Sequence, residues 1–191
     1  MPPTSSVHSV HFEDFDGTQF ERLVFAYLLR TERWRTLEWY GQSGGDRGRD
    51  IWGVKDVDGY PDGFTVCVQC ANRKRLTFEK VRSDLDRVSH GLQGLPAQVV
   101  VISGSSISAQ LRDRIKRYAQ TRHIWRCEAW SGAEFEERLR SNAESLLRRF
   151  TMGEAFPDEP EELRAFVVGT EPVDDHEILG LMAGLLDRPA F

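Results

Sequence analysis

The sequence reads Gly44-Gly45-Asp46-Arg47-Gly48-Arg49-Asp50 and continues, after a turn, into the apolar run Val66-Cys67-Val68-Gln69-Cys70. Two carboxylates that are separated by glycine and lie just before a strand can hold a hard cation such as Mg²⁺, which prefers oxygen ligands. Side chains alternate between the two faces of a strand, so Cys67, Gln69 and Ala71 are predicted to share one face, and Gln69 is its polar residue. We therefore expect Asp46, Asp50 and Gln69 to meet where two strands come together.

The order of these motifs resembles the PD-(D/E)xK nucleases, the restriction endonuclease-like superfamily, and within it the Mrr-like branch. The matching segments are a first helix carrying Glu21, the pattern Asp46-x-Gly48-x-Asp50 at the second strand, and Gln69-Cys70-Ala71 on the third. The resemblance implies an α/β fold with a mixed central β-sheet flanked by helices. Ala71 stands where that family carries its catalytic lysine.

The resemblance also implies a function and a set of roles. It indicates a Mg²⁺- or Mn²⁺-dependent endonuclease that cuts double-stranded DNA and serves in restriction or anti-phage defence. Asp50 would be the principal metal ligand, Asp46 an assisting group, Gln69 a ligand through its carbonyl oxygen and Glu21 an optional fourth ligand. The alternative is a nuclease fold without the chemistry, which binds nucleic acid or assembles a complex, and the missing lysine favours it. The two acids favour the enzyme, because without a cation they would repel DNA.

Two lysines are candidates for the missing ammonium. Thr77 is suited to cap a helix whose apolar residues follow at Phe78, Val81, Leu85 and Val88, and this places Lys80 in the first turn. A cation is unfavourable there, next to the positive end of the helix, which hints at a functional reason. A solvated surface lysine is the simpler interpretation. Lys74 is expected to contact the phosphate backbone.

Glu21 has two interpretations that the sequence leaves open. Thr18-x-x-Glu21 matches a capping box, which is a structural role for the glutamate. In the similar family, a glutamate at this point of the first helix completes the metal shell, so the two roles compete for one carboxylate.

Composition points to an ordinary globular domain with an appendage. The chain has 191 residues, with 40% hydrophobic and 29% charged residues, and no apolar run of membrane-spanning length. Three cysteines argue against a disulfide framework and favour the cytoplasm. Cys67 and Cys70 have the spacing of a zinc pair, but on a strand they point to opposite faces and are expected to be buried thiols. We predict a flexible segment at 1–11, a nuclease-like domain at 12–150 and a tail at 151–191.

Charge is unevenly distributed along the chain. The formal net charge is -5, yet residues 151–191 alone carry -8 and the rest carries +3. Local clusters matter more for phosphate binding than the total. Five arginines are expected to bind nucleic acid, namely Arg47, Arg49, Arg73, Arg75 and Arg82. Arg73, Arg75 and Arg82 form one basic cluster with Lys74 and Lys80. A second cluster at 112–122 is weaker evidence for nucleic-acid binding, because solvated helix faces look the same.

Periodicity and turn signals predict the element order α-β-β-β-α-β-α-β-α. The predicted strands are 34–40, 51–54, 65–70, 98–103 and 124–130. Ser131-x-x-Glu134 is a capping box for one last helix that contains Phe135, Leu139, Leu146 and Leu147. The tail contains an acidic, proline-bearing linker and an apolar helix at 178–186. That helix is expected to cover the nuclease-like domain, to form a homodimer, or to bind a separate sensor or NTPase partner.

Overall fold

A computed structural model describes residues 9–41, 49–57, 59, 62–91 and 94–153. The chain divides into two compact units, Met1–Leu147 and Arg148–Phe191. Asp46 and Arg47, the linker and the predicted helix at 178–186 lie outside the described residues. None of the described helices has the length and apolar character that crossing a membrane requires.

The described elements follow the predicted order. A short 3-10 turn at Phe12–Asp14 precedes the first helix. The helices are α1 (Gly17–Thr31), α2 (Phe78–Ser89), α3 (Ala109–Thr121), α4 (Gly132–Asn142) and α5 (Glu144–Met152), and the strands are β1 (Trp34–Trp39), β2 (Ile51–Lys55), β3 (Phe64–Ala71), β4 (Gln98–Ser103) and β5 (Arg126–Trp130). The prediction of a single last helix was wrong, because α4 ends before Ala143 and a separate helix, α5, begins at Glu144.

The five strands form one mixed sheet in the order β1-β2-β3-β4-β5. The first three strands run antiparallel and the last three parallel. Every residue of β4 is buried, as expected for a central strand covered on both sides. The predicted α/β class with a mixed sheet flanked by helices is thus confirmed.

Helices cover both faces of the sheet. The connections from β3 to β4 and from β4 to β5 contain α2 and α3. Both helices pack on one face, where Val81, Leu85 and Ile115 contact the core that contains Cys67 and Val99. We call this the α2 face. On the other face, α1 and α4 meet through a cluster of aromatic rings. The centre of the Phe135 ring lies 5.9 Å from that of Phe20 and 5.5 Å from that of Tyr27. We call this the α1 face.

Candidate functional site

Asp50 lies immediately before β2, at the end of the sheet where β3 finishes. Its Oδ2 atom accepts a hydrogen bond of 2.6 Å from the backbone N–H of Cys70, and Tyr40 N–H donates to the Asp50 carbonyl at 2.8 Å. A hydrogen bond to a carboxylate is among the stronger ones in proteins. The Asp50 carboxylate is therefore fixed at the carboxyl end of β3, where parallel strands in α/β sheets commonly present their ligand sites.

Gln69 lies on the neighbouring strand, on the α2 face. It is 3% exposed, and its Nε2 atom lies 3.5 Å from Cys67 Sγ. Continuing the β2–β3 register by one residue places Asp50 opposite Gln69, so both belong to the same face of the sheet. With the amide nitrogen directed at the sulfur, the carbonyl oxygen is the Gln69 atom that could bind a cation. The predicted shared face of Cys67, Gln69 and Ala71 matches the observed packing.

Glu21 reaches the same end of the sheet from the α1 face. Its carboxylate accepts a hydrogen bond of 3.0 Å from Trp39 Nε1, and the Trp39 ring stacks on Phe25 with a centroid distance of 5.9 Å. Gly41 leaves the room for this arrangement, because a Cβ there would collide with the Glu21 carboxylate. Glu21 is therefore held by the indole of β1.

The capping box predicted for Thr18 and Glu21 is wrong. The N-cap of α1 is Asp16, whose side chain accepts from Gln19 N–H at 2.7 Å. Aspartate is as good an N-cap as serine or threonine, and it lies early enough to begin the helix before Thr18. The Glu21 carboxylate is thus not used at the helix end.

The pKa values of the two cysteines of β3 depend on the charged groups that lie near them. Burial raises the pKa of the Cys67 thiol to about 12, the hydrogen bond with Gln69 opposes this, and Asp50, Arg49 and Asp84 act on it through their charges. Burial also raises the pKa of the Cys70 thiol, and Asp50 and Glu21 raise it further. Burial therefore keeps both thiols protonated at neutral pH. Asp50 and Glu21 are close enough to act on one group, Cys70.

Lys80 lies in the first turn of α2, as predicted, with Thr77 as the N-cap. Its ammonium pairs with Asp84 at 2.6 Å, and Arg87 binds the same carboxylate oxygen at 3.1 Å. The Asp84 side chain is only 6% exposed. The charge of Lys80 is thus shared with a buried acid one turn further along the helix.

Lys74 lies elsewhere, in the exposed connection after β3. The hydrogen bond with His11 chiefly lowers the pKa of Glu13, and the charge of Lys74 adds to this effect. Lys74 therefore lies near the segment that precedes α1. Asn72 anchors the connection by donating to the carbonyls of Phe12 and Phe15 at 2.8 and 2.6 Å.

The predicted nucleic-acid-binding arginines separate into two groups. Arg73, Arg75 and Arg82 are exposed. Arg49 is different, since its guanidinium lies over the Tyr40 ring at 4.8 Å and near the Trp52 ring at 6.0 Å. Arg47 lies outside the described residues, as does Asp46.

Sequence reasoning missed Asp84, although a signal was present. Positions 81, 84, 85 and 88 form the apolar stripe of α2, and an aspartate occupies one of them. A carboxylate on the buried face of a helix is rarely left without charged partners. The signal was sufficient to predict a buried ion pair.

The described residues supply oxygen donors to this end of the sheet in the form of Asp50, Gln69 and Glu21. Carboxylate and amide oxygens are the donors that Mg²⁺ and Mn²⁺ accept, so the chemistry of this set fits such a cation. In the ranges that the structure describes, no three His, Cys, Asp or Glu side chains converge closely enough to form a metal site by themselves. Asp46, which the resemblance adds to this set, lies outside the described residues.

Comparison of the sequence with protein-family models and with curated proteins gives no match. Among solved structures, the chain is similar to the MspJI restriction endonuclease in complex with a 27-mer oligonucleotide, with a TM-score of 0.49 and 16% sequence identity. The similarity covers 88% of this chain and 37% of that one. This chain thus spans little more than a third of the length of that endonuclease.

Proposed function

We propose that this chain is a metal-dependent DNA endonuclease of the PD-(D/E)xK type, related to its Mrr-like branch. The observation that carries the proposal is the placement of Asp50. Its carboxylate is fixed by the Cys70 N–H at the carboxyl end of β3, on the same face as the buried amide of Gln69. This is the pair of oxygen donors that the two motifs predict.

Asp50 would hold the cation, Mg²⁺ or Mn²⁺, together with the carbonyl oxygen of Gln69. Asp46 would assist from the loop before Asp50, and Glu21 would contribute from α1 if it exchanges its hydrogen bond with Trp39. A bound cation of this kind activates water and neutralises charge on the phosphate. The protein's own part is to fix the donors. The hydrogen bond from Cys70 to Asp50 orients the first, and burial restricts the rotamers of Gln69.

A role for lysine stays a prediction with two candidates. Lys80 lies on the helix that covers the α2 face, with its ammonium oriented by Asp84. Lys74 follows β3 directly and is exposed to solvent. Lys80 would have to leave Asp84 to reach the phosphate.

The biological context follows only from the resemblance. We propose restriction or phage defence, with double-stranded DNA as the substrate. Residues 151–191 would mediate a homodimer or contact a separate sensor or NTPase partner.

The second candidate function is a nuclease fold that binds nucleic acid without cutting it. Ala71 favours this alternative, because it is 5% exposed and packed in the core of the α2 face, where it has no group to offer a phosphate. Such a module would keep the exposed basic connection after β3 and would need no cation.

Cleavage assays decide between the two. We expect the purified chain to cut supercoiled and linear DNA with Mg²⁺ or Mn²⁺ and to lose this activity in EDTA and in Asp50→Ala. Lys80→Ala and Lys74→Ala test the predicted lysines. Glu137→Ala, on the exposed side of α4, is the control that should cut like the wild type. DNA binding without cleavage, unchanged by Asp50→Ala or EDTA, would establish the noncatalytic module.

A further inference from the structure

Arg49 is held against the sheet rather than extended into solvent. Its guanidinium carbon lies 4.8 Å from the centre of the Tyr40 ring and 6.0 Å from that of Trp52, and its Nη1 atom is buried. A guanidinium over an aromatic face gains both cation–π attraction and a defined orientation. The rings of Tyr40 and Trp52 therefore fix the position of the Arg49 guanidinium.

Both rings belong to the α2 face. Trp52 stands opposite Cys67 in the β2–β3 register, and both are members of the core under α2 and α3, against which Tyr40 packs. Arg49 is thus directed to the face that carries Gln69 and, two residues further, Ala71. The Cys67 thiol supports this placement. Its pKa is raised chiefly by burial, and Arg49 is a cation whose charge acts on it in the opposite direction.

Neither predicted lysine is placed in this way. The Lys80 ammonium forms an ion pair with Asp84 at 2.6 Å. Lys74 lies near Glu13, beyond the end of β3. Asp50 and Asp84 meanwhile bring negative charge to the same side of the sheet, as their effect on Cys67 shows. Lys80 and Arg87 already pair with Asp84, so the acid that an approaching phosphate would meet is Asp50. A fixed cation beside Asp50 would offset this repulsion together with the metal.

We propose that Arg49 is a catalytic residue that binds the scissile phosphate and offsets the charge that builds up on it during hydrolysis. The inference rests on the proposed function. In that reaction, the oxygen of water bonds to phosphorus and the bond from phosphorus to the leaving sugar oxygen breaks. One proton of the water ends on the leaving oxygen, and the other stays on the new phosphate monoester or passes to solvent. Arg49 only donates hydrogen bonds, because a guanidinium stays protonated in proteins.

The first test compares Arg49→Ala, Arg49→Lys and wild type in steady-state DNA cleavage with Mg²⁺. A cation that acts on developing charge should lower kcat more than it raises KM. Loss of a comparable electrostatic group in other enzymes lowers kcat by about 100-fold or more, and we expect this for Arg49→Ala with KM changed by only a few-fold. Arg49→Lys should retain part of the activity, because the charge is kept while the planar donor geometry is lost.

Arg138→Ala is the matched control for the loss of a stacked arginine. Its guanidinium lies 4.0 Å from the Trp130 ring, on α4 and hence on the other face of the sheet. We expect it to cut DNA at the wild-type rate. Thermal unfolding of both alanine variants separates lost catalysis from lost structure.

Two rescues test the charge itself. Ala71→Lys placed in the Arg49→Ala background would return an ammonium to the α2 face, with Ala71→Met as the control for added volume in a buried position. Added guanidinium at millimolar concentration should raise the rate of Arg49→Ala, whereas NaCl at the same ionic strength should not. This second rescue remains informative if position 71 does not accept a longer side chain.

The outcomes are distinct. An Arg49→Ala variant that is folded and keeps wild-type kcat, while Asp50→Ala is inactive, overturns the role of Arg49 and leaves the proposed function intact. A loss of kcat that neither guanidinium nor Ala71→Lys reverses also overturns it, since the loss would then be structural. Wild-type protein that binds DNA but never cuts it overturns the proposed function and the role of Arg49 together.

Discussion

Glu134 is the residue with the most strongly shifted carboxyl among those described. Its Oε2 atom accepts from Ser131 N–H at 2.8 Å and Ser131 Oγ at 2.9 Å, and Arg112 binds both carboxylate oxygens at 2.7 and 3.0 Å. The hydrogen bond with Arg112 is the largest cause of a pKa of about 2, against 4.5 for an ordinary glutamate. The predicted capping box is thus present, reinforced by an arginine from α3.

This shift makes part of the stability pH-dependent. A depressed carboxyl pKa stabilises the folded state above the unfolded pKa, and the contribution is lost as pH falls from about 4.5 towards about 2. The side chain is 45% exposed, so solvent screening limits the pair to about 1 kcal/mol or less. We expect Glu134→Gln, which keeps a capping side chain, to lower the free energy of unfolding at pH 7 and to change it little near pH 2. Urea titrations at both pH values measure this.

Glu137→Gln is the control for this prediction. Glu137 lies on the exposed side of the same helix and loses the same formal charge. Its substitution should leave the free energy of unfolding within a few tenths of a kcal/mol of wild type at pH 7. Equal effects of the two substitutions would mean that helix charge, and not the Arg112 pair, sets the stability.

At the scale of the element, the start of α1 separates two capping candidates. Asp16 accepts from Gln19 N–H, and Thr18 is already inside the helix. We expect Asp16→Ala to lower the free energy of unfolding by about 1 kcal/mol, the usual cost of losing an N-cap. Thr18→Ala should cost less, or stabilise slightly, because alanine is the better helix former. Urea unfolding of the two variants measures the difference, and a larger loss in Thr18→Ala would contradict the assignment.

The sequence was sufficient wherever a local pattern had one interpretation. The run at 98–103 was predicted as a strand and is one, and Thr77 and Ser131 cap α2 and α4 as expected. It failed where two local patterns overlapped. Asp16 and Thr18 are both good caps two residues apart, and the break at Ala143 carries neither glycine nor proline to signal it.

The candidate site was predictable to a similar extent. The period of a strand fixed the shared face of Gln69 and Ala71, and the motif order brought Asp50 beside them. The Trp39–Glu21 hydrogen bond and the stacking of Arg49 on Tyr40 could not be predicted, because they join residues whose proximity depends on the tertiary packing of α1, β1 and β2. Lys80 was placed correctly on its helix, but its ion pair with the buried carboxylate of Asp84 was not predicted.

At the scale of the whole molecule, the two basic clusters prove to be different. In the cluster on α3, Arg112 binds Glu134, Arg122 pairs with Asp86 at 2.6 Å, and Arg114 lies over the Phe78 ring at 3.8 Å. These arginines hold α3 to its neighbours. The connection after β3 instead presents Arg73 and Arg75 to solvent, directly beyond the strand that carries Gln69. For the proposed function, the contact with DNA would come from this local patch, because the chain as a whole carries a net charge of -5.

This difference predicts how DNA affinity depends on salt. Each phosphate contact contributes about 0.9 to the slope of log affinity against log salt concentration, through release of counterions. We expect Arg73→Gln with Arg75→Gln to reduce the slope by about 1.8 and to weaken binding most at low salt. Lys116→Gln with Arg117→Gln removes the same charge from the exposed side of α3 and should change the slope by less than about 0.5. Fluorescence anisotropy on a short duplex with Ca²⁺ in place of Mg²⁺, between about 50 and 200 mM salt, measures both slopes. Equal reductions of the slope in the two double variants would mean that DNA affinity depends on total charge. The connection after β3 would then not be the DNA-binding patch.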